Sequence, residues 1–207
     1  MARSGNFVLV MLLVACAIRV QAQVPSAKLW SNGTAKAAEY RAVAQADLAR
    51  RLATLSDADE RPVPSGFPYD VQTLRELRTA TIGYGFEVFT LPPAALKSEQ
   101  PVEQGVVSTG TWRFMVMVGS RPVALMTLAS MSGEMRVVEV GAAKLAKLIE
   151  AMASRHANSA DRLRFIRVYE AHQDILEVAT SDAPPRYERL ASPGVLLEGK
   201  DVRTLLP

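Results

Sequence analysis

The chain has 207 residues, 24 Lys and Arg against 21 Asp and Glu, and a single cysteine. A near-neutral charge excludes a general electrostatic affinity for nucleic acid or anionic membrane, and one cysteine excludes a disulfide framework within the chain. The length is enough for one domain with a core that is stable without staples.

Residues 1–22 read as a secretory leader: Arg3 without an acid, the apolar run Phe7 to Ile18, then Val20-Gln21-Ala22 with small or aliphatic residues where a signal peptidase reads. Arg19 breaks the run short of the roughly 20 apolar residues that span a bilayer. Cleavage after Ala22 leaves a cysteine-free product with 22 basic and 21 acidic residues. Within the leader, Leu13-Val14-Ala15-Cys16 also matches a lipobox, the alternative being a lipoprotein tethered through Cys16. The expected location is periplasmic or secreted, with membrane contact only through such a lipid.

From Thr34 to Leu55, Tyr40, Ala44, Leu48, Leu52 and Leu55 recur at helical spacing, predicting an amphipathic helix within an N-terminal segment, 23–60. The proline-rich stretch at 61–70 is the expected linker to an α+β domain, 71–207. Asp70 is placed to cap a second helix carrying Val71, Leu74 and Leu77, with Gly83 as its left-handed stop. Phe86 to Leu91 then reads as a strand ended by Pro92-Pro93, and Lys97 to Gln104 as a surface loop.

Trp112, Phe114, Val116 and Val118 alternate with Arg113, Met115 and Met117, the period of a strand. Turns at Gly119-Ser120 and Ser132-Gly133 separate it from strands at Val123 to Ala129 and Met135 to Val140, an antiparallel meander. A helix from about Ala142 to His156 is expected to lie across it. Strands at Leu163 to His172 and Ile175 to Thr180, joined by a turn at Gln173-Asp174, come next, and a loop-rich tail opens at Ala183-Pro184-Pro185. The expected fold is α+β: an antiparallel sheet, comprising the three-stranded meander, a further strand and a hairpin, covered by a helix, with an N-terminal helical segment.

Chemistry-bearing groups are few. His156 falls in the last turn of a helix, where a cation suits the carbonyl end. Glu170, His172 and Asp174 are spaced by two, so an unbroken strand would gather them on one face as a metal or acid–base set; a turn at Gln173-Asp174 would disperse them. Arg162 to Tyr169 interleaves guanidiniums with aromatics, so Arg164, Arg167 and Tyr169, together with Trp112, are candidate binding residues for an anionic envelope polymer more readily than for nucleic acid. Gly-x-Ser-x-Gly and phosphate-binding glycine patterns are missing: Ser130 to Gly133 reads as a turn, and Gly83-Tyr84-Gly85 as a connection. Met115, Met117, Met126, Met131 and Met135 form either core or an adaptable partner surface.

These features predict an exported, non-enzymatic binding module without cofactor, whose partner is another exported protein or an envelope component. The alternatives are a metal-assisted or acid–base hydrolase centred on His172, and a structural or inhibitory partner of another exported protein that makes contact through the helix from Thr34.

Overall fold

The computed structural model describes residues 29–30, 35–55, 62–63 and 67–204. The expected leader, with Cys16 and Ala22, lies outside them. Among the described residues no helix is long and apolar enough to cross a membrane.

The protein is a mixed α+β fold built on one eight-stranded sheet with order β4-β3-β2-β1-β5-β6-β7-β8. The strands are β1 (Ala80–Thr90), β2 (Val107–Val118), β3 (Arg121–Met131), β4 (Glu134–Gly141), β5 (Arg162–Val168), β6 (Gln173–Thr180), β7 (Ala183–Arg189) and β8 (Leu196–Leu197). The helices are α1 (Ala35–Ala53), α2 (Pro93–Lys97), α3 (Val102–Gly105), α4 (Ala143–His156) and α5 (Gly199–Arg203). Two antiparallel meanders, β1 to β4 and β5 to β8, meet side by side where Val88, Phe89 and Thr90 pair in parallel with Phe165, Ile166 and Arg167. The sheet is therefore larger than expected and not purely antiparallel.

Alternation along β2 supplies both layers. Trp112, Phe114 and Val116 pack with Ala44 and Leu48 of α1, and Trp112 meets Tyr40 edge-on at 5.6 Å. Met115 and Met117 join Tyr84, Phe86 and Phe165 beneath Ile149 and Met152 of α4. The helix returning from β4 at one edge to β5 in the middle has to cross the sheet, which is how it covers this face. The methionine face is thus closed core, and Met115 is fully buried. Trp30 enters the same layer, stacked on Tyr84 and 4.7 Å from Phe86, with the Leu29 carbonyl accepting from the Leu163 N–H. A smaller cluster, including Ile166, Ile175 and Tyr187, is closed by α2, α3 and α5.

Several local expectations are corrected. The second helix is a single 3-10 stretch, Leu74–Thr79, capped by Thr73 and Glu76; Asp70 instead pairs with Lys147 and Arg121. Gly83 lies inside β1 beside Met115 and Met117, at the irregular pairing between Ile82 and Gly85, and stops nothing. Gly85 gives its side-chain space to Phe114, whose ring would stand 2.3 Å from an added Cβ. The stretch from Lys97 to Gln104 runs from the end of α2 into α3, and the supposed tail holds β7, β8 and α5. The described parts of 61–70 are tied down: Val63 N–H donates to Gln72, and Asp70 N–H to Val123. Ser132-Gly133 turns as expected, with both φ positive, as a two-residue hairpin between twisted strands requires.

Candidate functional site

The β5–β6 hairpin turns at Tyr169 to His172, not at Gln173-Asp174, which begin β6. His172 closes it with φ 50° and donates its N–H to the Tyr169 carbonyl at 3.1 Å. The basic-aromatic string is divided between the two faces of the sheet. Leu163 and Phe165 belong to the core under α4, and Arg167 follows them on that face. Arg162 and Arg164 face the other way, where both reach the fully buried Glu177, Arg164 through two bonds. Arg164 also lies over the Phe89 ring at 5.5 Å. Its charge is spent within the fold, and Trp112 is sealed beneath α1, so neither joins the binding set expected with Arg167 and Tyr169.

Arg167, Val168, Tyr169, His172 and Asp174 line a pocket of about 300 Å³ beside the hairpin turn. Arg167 grips Asp174 as a fork, Nε to Oδ1 at 2.7 Å and Nη2 to Oδ2 at 2.8 Å. Hydrogen bonding to Asp174 raises the Arg167 pKa above its ordinary value, outweighing the opposing effect of burial. With both oxygens held by a guanidinium, Asp174 is occupied rather than orienting an imidazole. Glu170 is exposed on the turn. Among the described residues no group of three His, Cys, Asp or Glu could hold a metal ion, so Glu170, His172 and Asp174 do not form the set that their spacing suggested.

The residue that sequence reasoning passed over is Arg113. It sits on β2 between Phe86 of β1 and Thr127 of β3, only 7% exposed. Its Nε and Nη1 are buried and meet no acceptor. The guanidinium lies over the Phe165 ring, 5.5 Å from its centre. Burial lowers its pKa, and the neighbouring charge of Arg167 lowers it further; Asp174, Glu139 and Tyr169 act in the opposite sense. An arginine stays charged even so. Three of these groups, Arg167, Tyr169 and Asp174, line the pocket.

A buried charge is ordinarily paired, because removing it from water costs more than any neutral contact returns. Here the one carboxylate built into the pocket wall is already bound to Arg167, and Glu139 is exposed. Arg113 is therefore a buried cation without an ion pair, lying over Phe165, two residues before the Arg167 that lines the pocket; Arg113 itself is not among the lining residues. The sequence signal was a lone guanidinium on the Arg113, Met115, Met117 face of a strand apolar on both sides.

Comparison with protein-family models, with curated proteins and with solved structures finds no match.

A further buried ionic cluster, like that of Glu177, is satisfied within the fold. Glu188, 1% exposed, accepts hydrogen bonds from Arg155 and the Gly194 N–H, and its Oε2 lies 2.7 Å from His156 Nε2. Burial pushes the Glu188 carboxyl up, but the contacts of His156, Gly194 and Arg155 outweigh it and hold the pKa below the ordinary value. His156 thus has a specific partner, and the cluster fastens the end of α4 to β7.

Proposed function

We propose that the protein is an exported binding module, periplasmic or secreted, that holds an anionic group at the pocket lined by Arg167, Tyr169, His172 and Asp174, with the buried Arg113 behind Phe165 adding positive charge to that end of the sheet. The observation that carries this reading is the buried guanidinium of Arg113 with two nitrogens lacking acceptors. An unsatisfied buried charge calls for an explanation, of which an ion or ligand is one, and groups of perturbed charge beside a cleft are candidates for functional sites. Arg167 and Asp174 act as a fixed wall, since their mutual fork holds both side chains in place. The occupant belongs to another exported protein or an envelope component, and no cofactor takes part.

Export rests on the leader pattern in residues 1–22. Fractionation of expressing cells with mass spectrometry of the N-terminus tests it: a periplasmic or secreted chain starting at Gln23 supports the reading, a lipid-bearing Cys16 makes the protein membrane-tethered, and a cytosolic chain starting at Met1 refutes export. Binding is tested by thermal denaturation of the mature protein with acetate, benzoate, phosphate or sulfate added at constant ionic strength. At least one anion should raise the melting temperature of the native chain and leave Arg113→Met unmoved. No anion-dependent rise refutes the binding site.

A further inference from the structure

We infer that His172 is the residue that meets the anion: protonated, it supplies the charge that the pocket otherwise lacks, so the site fills as the pH falls and empties as it rises. This deepens the proposal above and rests on the pocket being an anion site.

The lining of the pocket is the first argument. Arg167 and Asp174 are joined through both carboxylate oxygens, at 2.7 and 2.8 Å, and their charges cancel. Val168 brings no charge, and a tyrosine phenol such as that of Tyr169 is neutral at neutral pH. His172 remains, and an imidazole is the side chain that changes charge between pH 5 and 8. It stands exposed, and among the described residues none bonds to its ring. A protonated ring there offers N–H donors and a charge that nothing else in the fold consumes, unlike His156, which lies against Glu188.

The wider surroundings are the second. Glu170 is exposed on the same turn. Beyond Arg167 stand the buried Arg113 and the exposed Glu139, one charge of each sign. With a neutral imidazole this end of the sheet therefore holds no surplus of positive charge, and the surplus falls to the proton on His172.

The backbone is the third. His172 closes the hairpin with φ 50°, a left-handed conformation that glycine and asparagine enter with least strain. Chain reversal alone is served by glycine. The histidine puts an ionisable side chain on the pocket wall at the expense of that freedom.

An anion that prefers the imidazolium to the imidazole takes up a proton as it binds, so affinity is highest below the histidine range and falls as the pH rises through it. The test is calorimetric titration of the mature protein with benzoate and with sulfate, both ionised throughout, at pH 8, 6.5 and 5.5 and constant ionic strength. At least one of the two should bind about fivefold or more tightly at pH 5.5 than at pH 8, the gain carried by one charge-assisted contact. At pH 6.5 its binding heat should vary with the ionisation enthalpy of the buffer, which reports the proton taken up. His172→Asn, whose side chain tolerates the left-handed backbone, should keep its melting temperature and bind with the same weak affinity at pH 8 and 5.5. Equal binding by the native chain at pH 8 and 5.5, or a pH dependence that survives in His172→Asn, would overturn the role of His172 while leaving the anion site standing. A folded native chain that binds neither anion at any of these pH values overturns both.

Discussion

Replacing Arg113 by Met should make the empty protein more stable, which is the opposite of the usual outcome of a core substitution. Methionine follows the aliphatic stem of arginine and ends before the guanidinium, so the packing against Phe86 and Thr127 is kept while the charge disappears. Two buried nitrogens without acceptors cost about 1–3 kcal/mol each, and removing them returns that amount. The stacking on Phe165 is lost, at about 1–2 kcal/mol for a desolvated cation over a ring. A net gain of about 2 kcal/mol follows, or roughly 4–8 °C in melting temperature for a domain of this size. Urea denaturation and thermal melts in buffer free of organic acids, phosphate and sulfate measure it directly. A loss of more than about 1 kcal/mol would refute the reasoning, because it would show that the guanidinium supports the fold rather than awaiting a ligand.

Three further outcomes follow from the packing. Glu188→Ala should cost about 2–3 kcal/mol by urea denaturation, since it removes the acceptor shared by Arg155, His156 and Gly194. In the native chain the Glu188 pKa is lowered on folding, so its contribution is present above the ordinary carboxylate value of 4.5 and is lost as the pH falls through the lowered value. The variant should therefore show a flatter decline of stability on acidification below pH 4.5 than the native chain. Gly85→Ala should destabilise by about 1–3 kcal/mol, because its Cβ would stand 2.3 Å from the buried Phe114 ring; an unchanged denaturation midpoint would contradict the close packing. Trp30→Ala should cost about 3–5 kcal/mol, since its ring fills the layer between Tyr84 and Phe86, and a loss under 1 kcal/mol would mean that this segment is not core.

Elements with strong local periodicity were legible in the sequence. The helices at α1 and α4 and the strands β2, β3 and β4 fall where their apolar spacing puts them, because each buries a face whose pattern repeats several times. Elements that depend on a distant partner were not. β7 opens with Ala183-Pro184-Pro185, which reads as loop, yet the prolines lie near the strand's start, and the pairing of Arg186 to Arg189 with β6 carries it. Gly83 and Gly85 read as punctuation, whereas they occupy the interior of β1 because methionine and phenylalanine from β2 need the space.

The candidate site divides in the same way. Arg167, Tyr169, His172 and Asp174 lie close together in the chain, and a hairpin brings them to one pocket. The metal set that the spacing of Glu170, His172 and Asp174 suggested required an unbroken strand, and the hairpin turns through Tyr169 to His172 instead. Arg113 comes to lie over Phe165 of β5 through the order β2-β1-β5, and the parallel β1–β5 contact leaves no mark in the local pattern of either strand. A buried charge without a partner can be recognised only once its neighbours are known.

The most direct measurement is the ring Cε1–Hε1 NMR signal of His172, assigned by its disappearance in His172→Asn and followed through titrations with benzoate and with sulfate at pH 6. The account predicts a signal that moves saturably as the anion binds, while that of His156, held against Glu188, moves less. A His172 signal that stays fixed throughout both titrations would contradict it.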